Sequence, residues 1–273
     1  MTLQKVLSRY NLNRPPFAKD IDPDDFFVTD DLQAAAARLK AALEARSSGV
    51  LTGESGSGKT SVVRTVENQF PQGNYSLHYL ANSMVNHRDF YRQLSMALGL
   101  ESRATAAALF NQVSETFRRQ ATEHQSRSVL VHDEAHLLPI AVLSHLHILL
   151  NFERDSKPWL TIVLVGLPEL RGLLARDSLK SLAARLPTRI MLKTLDPAGV
   201  REYVAHRLGK AGARSQIFSE DAMLLLAEAT AGVLRRIDVL ANQSLVEGLA
   251  LKGTVIDASI VARAIKTCED ALR

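Results

Sequence analysis

The chain has one cysteine, Cys268, in 273 residues. This excludes an internal disulfide and any zinc site built on cysteines. It also has no long hydrophobic run. The longest apolar stretches, such as VLVHD and TIVLVG, are strand length, against the ~20 apolar residues that span a bilayer. The opening MTLQKVLSRYNLNRPPF lacks a basic start followed by an apolar core. No secretory signal and no membrane partner are therefore expected, and the cytoplasm is the expected compartment. Internal repeats and low-complexity linkers are missing as well. A hydrophobic content of 46% and a charged content of 23% exclude disorder and fibrous folds. The net charge of +4 adds a modest attraction for phosphate backbones and decides little alone.

What is present alternates. Residues 1–46 open with an irregular stretch rich in Pro and Asp (Pro15, Pro16, Pro23, Asp20, Asp22, Asp24, Asp25) and pass into the helix-forming DLQAAAARLKAALEARSSG. From residue 49, GVLTG reads as a strand, a Gly-rich turn follows, and KTSVVRTVENQF reads as a helix. Further strands are expected at SLHYLA (76–81), SVLVHD (128–133), LTIVLVG (160–166) and TRIMLK (188–193), with helices around 88–98, 105–122 and 140–153. Strands alternating with helices imply a parallel five-stranded sheet flanked by helices, and continuously apolar strands imply burial on both faces. After about residue 194 the pattern is helical, over 197–211, 219–230, 233–251 and 257–271. The expected organisation is an N-terminal extension and helix (1–46), an αβα core (47–193) and a small helical lid (194–273).

Residues 53–60, GESGSGKT, match G-x-x-x-x-G-K-[ST] between a strand and a helix. Gly53, Glu54, Ser55, Gly56, Ser57, Gly58, Lys59, Thr60 and Ser61 are the expected phosphate-binding residues. The glycines let backbone N–H groups face phosphate oxygens, and the helix N-terminus adds its dipole. Lys59 is expected to reach the β- and γ-phosphates of ATP, and Thr60 to ligate Mg²⁺.

The stretch LVHDEAHLL (130–138) admits several readings. Histidines four apart bind zinc only when they share one helix face and Glu follows the first. Asp follows His132 here, and SVLV before it is strand-like. His132 then ends a strand, His136 lies in the turn beyond, and His145 or His147 has nothing to position it as a third ligand. Asp-Glu-Ala-His also spells a helicase signature, but those motors need two motor domains, and one core plus a lid fills this length. In a phosphate-loop protein the acid ending the third strand serves the metal, which makes Asp133 the magnesium-side acid. Glu134 is then placed as the general base that polarises the attacking water.

Taken together, YNLNRPPF, LTGESGSGKT, HDEAHLL, LLNFERDSKPWLTIVLVGLPEL and ARLPTRI resemble, at matching intervals, the AAA+ ATPases typified by the secretion-pathway protein ExeA. That family merges with the transposition regulators TnsC, TniB and MuB. The resemblance covers about residues 10–268 and implies an AAA+ P-loop NTPase core followed by a helical lid. It also implies that Arg185 or Arg189 reaches the γ-phosphate of a neighbouring subunit, and that Arg235, or the adjacent Arg236, reports nucleotide state from the lid. Relatives read VGQPEL where this chain reads VGLPEL. Leu167 thus replaces a polar, water-orienting residue, which points to slow hydrolysis or to another side chain in that role.

Regulators of this group assemble on double-stranded DNA as ATP-bound rings or helical filaments. They recruit a transposase, in some cases through a target-selection adaptor. If that extends to this chain, His87, Arg88, Arg103 and Thr105, after the second strand, are the expected backbone contacts. Two other outputs remain open: a secretion-type ATPase, and a nucleotide switch acting only through protein partners.

Overall fold

The computed structural model describes residues 2–18, 25, 27–71, 73–83, 85–101, 103–154, 156–250 and 255–268. Its elements in chain order begin with α1 (Thr2–Tyr10), α2 (Asp30–Glu44), β1 (Gly49–Thr52), α3 (Lys59–Asn68) and β2 (Tyr75–Leu80). They continue with α4 (His87–Ala97), α5 (Ala106–Thr122), β3 (Arg127–His132), α6 (Ile140–Leu149) and β4 (Leu160–Gly166). Then come α7 (Glu169–Leu174), α8 (Lys180–Ala184) and β5 (Thr188–Met191). The last four are α9 (Pro197–Lys210), α10 (Glu220–Thr230), α11 (Leu234–Glu247) and α12 (Ala258–Thr267). Among the described residues no helix is long and apolar enough to cross a membrane.

Two compact units emerge. One holds residues 31–53 and 58–192; the other holds 1–30, 54–57 and 193–273. Within residues 1–46, α2 falls almost wholly with the sheet and the opening stretch with the C-terminal helices.

The sheet unit has strand order β2-β3-β4-β1-β5, and every pairing is parallel. Side chains alternate across the pleat, so each strand feeds two cores. Leu130, Ile162 and Leu164 pack with Phe90, Leu94, Leu109, Phe117, Leu143 and Leu146 on one face. Val129, Val131, Val163 and Val165 pack with Leu39, Val62, Val63 and Val66 on the other. Burial on both faces is the reason these strands read as continuous apolar runs. Side-chain caps start the helices where the sequence offers them: Asn86 accepts from Asp89 N at 3.0 Å, and Thr105 from Ala108 N at 3.2 Å. Each such cap contributes roughly 1 kcal/mol. Two short helices, α7 and α8, lie in the stretch between β4 and β5, where the sequence pattern gave no helix. Five or six residues are too few for a visible period, yet they bury Leu170, Leu174 and Leu182.

The helical unit packs α9–α12 around Val204, Phe218, Leu226, Ile237, Leu240, Leu245 and Val261. The N-terminal stretch is part of it. Val6 and Tyr10 of α1, with Leu12 and Phe17, enter the same core, and Tyr10 Oη donates to Leu245 O at 3.3 Å. α1 was expected to be irregular; two buried residues at a spacing of four stabilise it through packing rather than propensity. The RPPF segment is held by Arg207, 5% exposed. Its Nε donates to Pro16 O at 2.7 Å and its Nη2 to Ala18 O at 2.9 Å. Its guanidinium lies over the Phe17 ring. The expected helix over 233–251 ends at Glu247, and a short 3-10 turn at Gly248–Ala250 follows. Residues 269–271 of the expected last helix fall outside the described residues.

Tyr203 Oη donates to Asp238 Oδ1 at 2.6 Å, and Arg207 stands 3.7 Å from the same carboxylate. Burial outweighs these partners and pushes the Asp238 carboxyl up to about 6. Between pH 4 and 6 the unfolded chain then binds fewer protons at this position than the folded one. Folded stability falls as pH rises through that window and is level above it. In pH-dependent urea unfolding, the stability difference between Asp238→Asn and the unsubstituted protein should shift in the variant's favour by about 1–3 kcal/mol from pH 4 to 6.5. Parallel curves would contradict this origin.

Candidate nucleotide and magnesium site

The carboxyl ends of β1, β3 and β4 lie side by side, because β4 pairs with both β1 and β3. In open parallel sheets, ligands are taken at this edge. Thr52 closes β1, and Gly53 N donates to Gly166 O at the end of β4, at 3.3 Å. α3 starts at Lys59 with Gly58 as its cap at φ 97°, so the N–H groups of Lys59, Thr60 and Ser61 occupy an uncapped first turn, which suits an anion. Lys59 is 7% exposed, and its Nζ donates to Gly53 O at 2.9 Å.

The four loop residues Glu54–Ser57 fall with the helical unit. Gly56 has φ 79°, and a Cβ there would stand 2.5 Å from Arg235 Cβ. Glycine is required twice over, by backbone and by neighbour. Arg235 Nη1 also donates to Ser55 Oγ at 3.4 Å. The lid arginine expected from the family resemblance thus lies against the loop. Ser57 Oγ is buried and meets no polar partner among the described residues, a polar atom still available inside the phosphate loop.

Asp133 follows β3, with its N–H donating to Leu80 O at 2.8 Å. Its Oδ1 accepts from Glu134 N at 2.8 Å, and its carbonyl accepts from Ser83 Oγ at 2.9 Å. Its Oδ2 accepts from Tyr79 Oη. The same phenol meets the side chain of Thr60. One oxygen therefore touches both groups expected to serve magnesium. Burial, then the hydrogen bond and charge of Asp133, push the Tyr79 hydroxyl well above its ordinary range, so it remains a neutral donor. Tyr79 was missed in the sequence. The only cue was a polar tip one residue before the end of an otherwise unremarkable strand.

Glu134 adopts the left-handed conformation at φ 50°, and its side chain is 48% exposed. The turn exposes it where Asp133 is tied down, which suits a base that must reach water. The two histidines are separated. His132 is fully buried in β3 and bonds to Asp133 O through Nδ1 at 2.9 Å; burial holds its pKa down. His136 lies in the 3-10 turn Ala135–Leu137 and accepts from Leu167 N through Nδ1 at 3.4 Å. From sequence alone His136 reads as no more than a packing or polar neighbour of the site.

The expected arginines stand in β5 and just before it. Arg185 follows α8 and donates to Ser181 O at 3.2 Å, while Arg189 is exposed on the edge strand opposite Val50. Of the expected DNA contacts, Arg88 and Arg103 are exposed. His87 is half-buried, bonded to Ala141 O and packed 4.0 Å from the His145 ring. The Thr105 hydroxyl caps α5.

Thr60 and Asp133 form a fitting pair of oxygen ligands for Mg²⁺, and Lys59 with the α3 N-terminus fits a polyphosphate. Residues 42–174 match the family model described as AAA domain. The protein resembles Cdc6p from Pyrobaculum aerophilum with a TM-score of 0.71 at 16% identity, over 92% of this chain and 70% of that one. The chain has the AAA+ P-loop NTPase fold. It also resembles Drosophila ORC bound to DNA, with a TM-score of 0.67 at 18% identity, covering 96% of this chain and 65% of the other. In sequence it is 31% identical over 244 residues to General secretion pathway protein A of Aeromonas hydrophila. That match takes in 88% of this chain and 44% of the relative, so the chain spans under half of that protein's length.

Replacing Lys59 with alanine should leave the far-ultraviolet circular dichroism unchanged and weaken ATP binding at least about tenfold, the loss of one charge-assisted contact. Titration calorimetry showing undiminished ATP affinity would contradict the assignment of the loop.

Proposed function

We propose that this ATPase hydrolyses Mg²⁺-ATP slowly and as an oligomer. Thr60 and Asp133 serve the metal, Lys59 and the loop hold the phosphates, and Glu134 is the general base. The contact of Tyr79 Oη with both Thr60 and Asp133 carries the reading, because it brings the two magnesium-side groups to one point. Magnesium supplies charge neutralisation at the phosphates when bound. Arg185 or Arg189 is the residue supplied to a neighbouring subunit, where it stabilises charge as the phosphoryl group leaves. Arg235, already against the loop, is the lid's reporter of nucleotide state. Leu167, an apolar residue at the end of β4, supports slow turnover.

For the output, we propose nucleotide-dependent assembly on duplex DNA without strong sequence preference, in the service of a transposase. Exposed Arg88 and Arg103, the net positive charge and the fold shared with an ORC solved on DNA support DNA binding. The transposase rests on the motif resemblance alone. A specific observation favours a second reading. The curated relative at 31% identity is a secretion-pathway protein, which supports an ATPase acting through protein partners.

Glu134→Gln should retain ATP affinity within about threefold and lose roughly 100-fold or more in turnover; turnover at the unsubstituted rate would remove Glu134 as the base. Fluorescence anisotropy with a nonspecific duplex at low salt should show ATP-dependent binding that Arg88→Glu with Arg103→Glu weakens at least about tenfold. Unchanged affinity in that variant would remove the proposed surface. Absence of any ATP-dependent binding would favour the protein-partner reading.

A further inference from the structure

The side chain missing at Leu167 has a structural substitute. His136 stands in the turn just beyond Glu134, 11% exposed at its side chain. Its Nδ1 accepts from the backbone N–H of Leu167 at 3.4 Å, and its Nε2 lies 3.6 Å from Glu134 Oε2. The ring lies against the end of β4 closely enough that a Cβ on Gly166 would come within 3.2 Å of both His136 N and Nδ1. Glycine at that strand end leaves room for the imidazole.

The amide contact at Nδ1 selects one tautomer of the neutral ring. An imidazole nitrogen that accepts from an amide carries no proton, so in the neutral ring Nε2 bears the hydrogen. Nε2 then stands 3.6 Å from Glu134 Oε2, a small side-chain rotation away from hydrogen-bond distance. We infer that His136 is a positioning residue for hydrolysis: anchored on the Leu167 amide, it holds the Glu134 carboxylate through Nε2–H and joins the end of β4 to the general base. It takes over the link that a polar side chain at position 167 would otherwise make. The inference rests on the ATPase reading above. Glu134 occupies a left-handed turn with an exposed side chain and would otherwise sample many rotamers. Restricting them costs entropy once, on folding, and spares that cost at each turnover.

A positioning residue moves kcat and leaves nucleotide binding alone. His136→Ala should therefore lose about 10- to 100-fold in kcat, with ATP affinity and KM within about threefold. His136→Gln should recover most of the loss, because its amide oxygen can accept from Leu167 N–H while its NH₂ group donates to Glu134. Leu167→Gln in the His136→Ala background should recover part of it. Equal losses in the alanine and glutamine variants at unchanged melting temperature would overturn the proposal, as would full turnover in His136→Ala. A readout independent of turnover is ¹⁵N NMR of the unsubstituted protein. The His136 ring should show a protonated Nε2 and an unprotonated Nδ1, with the Nε2 signal shifting in Glu134→Gln. The opposite tautomer would overturn the proposal. The two levels separate cleanly: a dead Glu134→Gln beside a fully active His136→Ala removes only the positioning role, whereas a fully active Glu134→Gln removes the base assignment and the positioning role with it.

Discussion

The parallel pairing of β4 with both β1 and β3 is the constraint on which the candidate site on the sheet depends. Leu51 stands opposite Val165, and Val131 opposite Val163, so three strands end at one edge. The start of the phosphate loop, the acidic pair and the end of β4 are consequences of that register. A one-residue slip of β3 would turn Leu130 from one core to the other and withdraw Asp133. The valines and leucines that alternate between the two cores hold the register, and through it the chemistry.

Much of this was legible in the sequence. Strands buried on both faces are continuous apolar runs, and the loop GESGSGKT is bounded by a strand and a helix, so the parallel sheet and the place of the loop between β1 and α3 follow from pattern and motif. The elements that escaped are those whose stability is not local. α1 exists because Val6 and Tyr10 find a core made by residues some two hundred positions later, and α7 and α8 are too short to show a period. The partners of the acidic pair escaped for a similar reason. Tyr79 and Asp133 are 54 residues apart, and His136 and Leu167 are 31 apart. Only strand order makes either pair neighbours.

The same geometry explains the histidines that flank the acids. One is locked into the strand as a neutral, buried group against Phe90. The other lies beside both Glu134 and the amide of Leu167, at the strand end where a polar side chain is absent. On the helical side, Arg235 and Gly56 show the reciprocal dependence: the arginine can approach the loop because the loop has no side chain there.

The central claim is that ATP is hydrolysed at Asp133–Glu134 and that an arginine from another subunit completes the site. Mixing tests it most directly. Glu134→Gln subunits keep the arginines and lack the base; Arg185→Ala/Arg189→Ala subunits keep the base and lack the arginines. The steady-state ATPase rate of an equimolar mixture should exceed the sum of the separate rates by at least about tenfold, in line with the contribution of an arginine supplied in trans. A mixture that hydrolyses ATP no faster than that sum would contradict the account.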